Sequence, residues 1–122
     1  MTASVLVVDD DAAFRELATR MLVTIGLSVA GEADTAAAAI AAALELEPDG
    51  VLVDIGLPDR DGLALARDLA ALPWRPRIVL TSIDTDAANA GDVRRSGARA
   101  FVPKDDLPNA PLGELMAADD KG

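Results

Sequence analysis

Apolar and polar positions along this chain follow two rhythms in turn. Short continuous apolar runs, Ser4–Val8 (SVLVV), Val51–Asp54 (VLVD) and Arg77–Thr81 (RIVLT), predict strands buried on both faces. Leu27–Ala30 and Ala100–Val102 predict a weak second and a short fifth strand. Between the strands the period is helical. From Ala12 to Ile25 apolar residues recur at Phe14, Leu17, Ala18, Met21, Leu22 and Ile25, and Gly26 is a natural stop. Asp34 or Thr35 can cap an Ala-rich helix running to about Leu46, with Pro48 beyond its end. Leu63–Leu72, closed by Pro73 and Pro76, predicts a third helix. Asp84–Ser96, weakened by Gly91 and ended by Gly97, predicts a fourth, and Pro108–Ala118 an irregular last one.

Strand followed by helix, five times over, argues for a parallel sheet covered by helices on both faces, an α/β architecture. No linker, low-complexity tract or repeat interrupts the pattern, so residues 1–122 are expected to form one domain. Composition narrows the chemistry. There is no His and no Cys, so any site must run on carboxylates, hydroxyls and lysine, without thiolates or disulfides. The net charge is −10, with 16 Asp against 5 Glu, which disfavours nucleic acid as a partner. The N-terminus lacks a cationic segment before its apolar run, and the longest apolar stretch, Ala36–Leu44, is too short for a bilayer. A cytoplasmic protein without a membrane segment is expected.

The acidic residues fall at strand ends. Asp9, Asp10 and Asp11 close the first apolar run, and Asp54 closes the third, ahead of a turn-forming loop of Gly56, Pro58, Asp59, Asp61 and Gly62. In an open parallel sheet, ligands bind at such C-terminal strand ends. If the strand order brings the first and third runs side by side, three carboxylates converge and repel one another unless a hard cation such as Mg²⁺ joins them. Thr81 ends the fourth strand and Lys104 lies just past the fifth. With nine arginines and only two lysines in the chain, a lysine at a strand end is informative. A metal, a hydroxyl and an ammonium together describe a pocket for a phosphoryl group, with Asp54 as nucleophile.

Asp9-Asp10, Asp54 with Leu57-Pro58 and Asp61-Gly62, Thr81-Ser82, then Phe101 and Lys104 occur in an order that resembles the receiver domain of two-component response regulators. The resemblance spans essentially the whole chain. It implies a flavodoxin-like (βα)5 fold, doubly wound, with strand order 2-1-3-4-5; that order comes from the resemblance and not from the periodicity. It further implies that Asp54 accepts a phosphoryl group from a phosphohistidine on a sensor histidine kinase or histidine phosphotransfer protein. Asp10, Asp54 and the Gly56 carbonyl would ligate Mg²⁺, with Asp9 acting through water. Lys104 would pair with a phosphoryl oxygen and Thr81 would hydrogen-bond another. Phe101 would follow Thr81 and alter the face of helix 4, strand 5 and helix 5, presented to a downstream protein or a second copy. Such a domain dephosphorylates itself slowly and is not otherwise an enzyme.

Plainer roles compete at several positions. Asp11 reads as a helix N-cap, Asp59, Asp61, Asp84 and Asp86 as solvated loop carboxylates with Asp84 able to begin a helix, and Ser82 as a bystander. Taken alone, Thr81 is an ordinary strand threonine and Phe101 a core residue. Two features depart from the family pattern: Pro103 precedes Lys104 where a proline commonly follows, and Gly56 leaves no side chain two positions after Asp54. Alternative functions are a phosphohydrolase of the haloacid dehalogenase type, which would want an acid where Gly56 stands, and a degenerate receiver used only for binding. Dinucleotide binding is disfavoured because no G-x-G-x-x-G follows the first strand.

Overall fold

Five parallel strands form one sheet in the order β2-β1-β3-β4-β5 in the computed structural model, which describes residues 2–117. The elements are β1 Ser4–Val8, α1 Ala12–Thr24, β2 Ser28–Ala33, α2 Ala36–Leu46, β3 Gly50–Asp54, α3 Gly62–Ala70, β4 Arg77–Ser82, α4 Ala90–Ser96, β5 Ala100–Pro103 and α5 Leu112–Met116. Every residue of β3 is buried, as the Val51–Val53 run requires of a central strand, and the burial extends to Asp54 at its end. Strand alternation divides the core in two. Leu6, Val8, Val51, Val53, Ile78 and Leu80 pack on α2 and α3 through Ala39, Ala43, Leu65 and Leu69. Val5, Val7, Leu52 and Val79 pack on the other face against Ala18 and Leu22 of α1, together with Leu112 and Met116 of α5. This is the doubly wound flavodoxin-like arrangement.

Helix α4 starts at Ala90 and not at Asp84. Ser82 Oγ accepts the Asp84 N–H at 3.1 Å and Asp84 Oδ1 accepts the Asp86 N–H at 2.8 Å, local turns that compete with a helix. Helix initiation falls instead to Asn89 and Asp92, each accepting the other's backbone N–H, at 2.8 and 3.0 Å, in a capping box. The expected last helix is also divided: Lys104–Asn109 is a 3₁₀ turn containing Pro108, α5 follows at Leu112, and Ala118 lies outside the described residues. Pro103 sits in β5, an edge strand, where a missing backbone donor costs no ladder bond on the open side. Strand β2 runs to Ala33, three residues further than its weak pattern suggested.

Candidate functional site

The strand order places the C-terminal end of β1 between those of β2 and β3, so the residues closing β1 and β3 are neighbours. Asp9, Asp10 and Asp54 each bring a carboxylate oxygen within 4.8 Å of the others. They line a cleft of about 240 Å³ with Asp11, Gly56, Ser82, Ile83 and Lys104. Asp9 is wholly buried and Asp54 nearly so, while Asp10 is exposed at the rim. Ile83, also at the cleft, is 82% exposed.

Local hydrogen bonds aim each acid. Asp9 Oδ1 accepts the Asp11 N–H at 2.8 Å, and Asp9 Oδ2 lies 2.7 Å from Lys104 Nζ in an ion pair held by charge more than by directed hydrogen bonding. The Asp9 carbonyl accepts from Arg15 Nη1 at 2.7 Å, while Arg15 Nε pairs with Glu32 at the end of β2. Asp54 Oδ1 accepts the Gly56 N–H at 3.1 Å, and Asp54 Oδ2 is 3.9 Å from Lys104 Nζ. Burial above all, then the Gly56 N–H, the charge of Asp9, Lys104 and Asp10, act on the Asp54 carboxyl; the raising influences win and its pKa lies above the ordinary value of 3.8.

Thr81 is the register partner of Asp54 across β3 and β4. Its hydroxyl is fully buried and has no hydrogen-bond partner among the described residues. Phe101 pairs in register with Leu80, not Thr81, and packs with the α2–α3 side of the core. Strand alternation therefore sets Thr81 and Phe101 on opposite faces of the sheet, so any signal between them must cross the β4–β5 ladder. Asp11 caps α1, accepting the N–H groups of Ala13 and Phe14. Asp59 and Asp61 are exposed, as expected of loop carboxylates, yet neither is idle. Asp61 caps α3, and Asp59 accepts the N–H groups of Ala36 and Ala37, beside the Thr35 cap of α2, which ties the loop after β3 to that helix. Phe14 escaped the sequence reading as anything but core: its ring lies beneath Lys104 Nζ, 4.2 Å from the centroid. The only available signal was its place in the first turn after the Asp9–Asp11 run.

Beside the Lys104 ammonium, the acids clustered here offer only oxygen donors, from Asp9 and Asp10 just past β1 and Asp54 at the end of β3, with Asp10 open to solvent. That donor set suits a hard divalent cation such as Mg²⁺ and not a softer metal. Among the described residues no helix is long and apolar enough to cross a membrane.

Residues 5–110 match the response regulator receiver domain. The chain is 31% identical over 104 residues to the chemotaxis protein CheY of Bacillus subtilis, covering 85% of this chain and 87% of that protein. It is 45% identical over 117 residues to a protein-glutamate methylesterase/protein-glutamine glutaminase of Anaeromyxobacter dehalogenans, covering 94% of this chain but 33% of the relative. It also spans only 54% of a Pseudomonas aeruginosa regulator with which it shares 35% identity. Among solved structures, a LuxR-family two-component response regulator from Aurantimonas superposes with a TM-score of 0.82 at 28% identity, covering 92% of this chain and 81% of that one. Sequence, strand order and architecture agree, and the chain belongs to the response regulator receiver domain family.

Proposed function

We propose that this domain is a phosphoacceptor switch in which Asp54 takes the phosphoryl group of a phosphohistidine. The donor would be a sensor histidine kinase or a histidine phosphotransfer protein, which implies a cytoplasmic setting. The observation that carries the reading is the meeting of Asp9, Asp10 and Asp54 in one cleft with Lys104 as its cation. In the transfer, an Asp54 oxygen bonds to phosphorus as the phosphorus–nitrogen bond breaks, and the imidazole departs with that electron pair. Asp54 Oδ1 is already occupied by the Gly56 N–H, which leaves Oδ2 facing Lys104.

Asp10 and Asp54, with the Gly56 carbonyl and Asp9 through a water, are the residues that would hold Mg²⁺. The ion would neutralise the carboxylates and the incoming phosphoryl oxygens. Lys104 supplies positive charge to the phosphoryl group, and the unpartnered Thr81 hydroxyl is free to donate to it. Phosphorylation adds charge and strong acceptors at a buried strand end, which can bias the α4–β5–α5 face toward a downstream protein or a second copy. At Gly56 an added Cβ would meet only Asp54 Oδ1 within 4 Å, so this open position leaves the acyl phosphate accessible to water and to slow self-dephosphorylation.

The test is incubation with acetyl phosphate, with and without Mg²⁺, read by intact mass. A gain of one phosphoryl group that disappears in Asp54→Asn and without the metal supports the proposal. Absence of any gain in wild type would leave a receiver used for binding alone, and turnover of unrelated phosphate esters would revive the hydrolase reading.

A further inference from the structure

We infer that Phe14 is a positioning residue for Lys104, holding its ammonium over the ring at the edge of the cleft, within reach of both Asp9 and Asp54. This rests on the phosphoacceptor reading for its consequence, but not for the contact itself. Lys104 belongs to two cavities at once. It lines the acidic cleft, where its ammonium meets Asp9 and Asp54, and it also lines an apolar groove with Phe14, Leu17, Met21 and Leu107. A lysine with its stem on apolar side chains and its charge at a polar rim is in a favourable position, but a flexible four-carbon stem does not by itself choose where the charge rests.

Three groups fix that choice. Asp9 Oδ2 lies at 2.7 Å, Asp54 Oδ2 at 3.9 Å, and the Phe14 ring centroid at 4.2 Å. Only 13% of the lysine side chain is exposed, so water screens these contacts little. The two carboxylates pull the ammonium toward the floor of the cleft. The negative face of the ring attracts it from the α1 side, without charge and without competing for a metal or a phosphoryl group. The Phe14 side chain is itself held, being partly buried against the core on the α1–α5 side of the sheet. A cation at the carboxylates would weaken the hold of Asp9 on Lys104, whereas the ring would keep its hold. Lys104 could then turn from Asp9 to a phosphoryl oxygen on Asp54 while staying over the same ring.

The chain has two lysines, so lysine labelled with ¹³C at Cε gives a spectrum of two signals, and Lys104→Arg identifies one of them by deleting it. In the metal-free wild type the Lys104 ε-methylene protons should be shifted upfield by the ring beneath them. Phe14→Leu should return them to the free-lysine position, and Phe14→Tyr, which keeps the aromatic face, should not. With acetyl phosphate and Mg²⁺, Phe14→Leu should phosphorylate about three- to tenfold more slowly, with Phe14→Tyr close to wild type. An unshifted Lys104 signal in wild type overturns the contact without recourse to any variant. A lost shift in Phe14→Leu with an unchanged rate overturns the positioning role. An intact shift with no phosphorylation of any variant, wild type included, overturns the phosphoacceptor reading and the role of Phe14 with it, while the contact stands.

Discussion

Lys104 Nζ stands closer to Asp9, at 2.7 Å, than to Asp54, at 3.9 Å. The lysine is therefore paired with the acid that follows β1 and merely near the acid that ends β3. Asp9 is wholly buried, and apart from this pair its carboxylate takes only the Asp11 N–H. Lys104→Met should strand that charge and cost about 3 kcal/mol in metal-free buffer, read as a denaturant midpoint. Magnesium should restore part of the loss, because the cation replaces the missing ammonium. Equal destabilisation with and without the metal would contradict this.

Asp54 carries a raised pKa because burial, helped by Asp9 and Asp10, outweighs the Gly56 N–H and Lys104. Between 3.8 and the raised value, the folded protein binds more protons than the unfolded chain, so stability falls as pH rises through that window and stays lower above it. Asp54→Asn should accordingly melt higher than wild type at neutral pH without metal. The advantage should vanish in acid below the ordinary carboxylate pKa. A melting difference independent of pH would refute it.

Thr81→Val should separate an effect on phosphorylation from an effect on folding. The buried Thr81 hydroxyl has no partner among the described residues, so Thr81→Val removes an unsatisfied polar group without opening a cavity. Stability should stay within about 1 kcal/mol of wild type or rise slightly. The phosphorylated form, in contrast, should lose a hydrogen bond, and its difference from the resting form in amide exchange over α4 and β5 should shrink. A large loss of stability would show that the hydroxyl already has a structural role.

Gly56 in the loop after β3 and Gly62 at the start of α3 should respond differently. At Gly62 a Cβ would fall 2.5 Å from the Asp54 carbonyl oxygen and from Ile55 Cα, both backbone atoms that cannot move aside. Gly62→Ala should cost about 2–4 kcal/mol, seen as a lowered midpoint and loss of phosphorylation. At Gly56 the nearest atom is Asp54 Oδ1 at 3.8 Å, so Gly56→Ala should change stability by less than about 0.5 kcal/mol. Gly56→Asn should shield the acyl phosphate and lengthen its half-life; a half-life no longer than that of wild type would count against water access at Gly56 as what sets it.

Much of this domain could be read from the order of its residues. Buried parallel strands need continuous apolar runs, so β1, β3 and β4 announced themselves, as did α1 with its Asp11 cap and Gly26 stop. The acids at strand ends were equally visible, because burying a carboxylate beside Val and Leu has no structural motive. Local rivalries were not legible. Asp84 looks like a helix start, and only the turns at Ser82 and Asp84, set against the Asn89–Asp92 capping box, decide that α4 begins later.

Sequence by itself determined which residues have strand, helix and acid chemistry, since backbone periodicity and side-chain polarity act over a few neighbours. Tertiary structure alone decided which side chains meet: that Asp59 closes the N-terminal end of α2, that Thr81 and Phe101 fall on opposite faces, and that Lys104 rests between Asp9 and the ring of Phe14. Those pairings join positions up to ninety-five residues apart, from Asp9 to Lys104. They follow from strand order and register, which depend on how the two apolar faces of the whole sheet are covered and not on any local pattern.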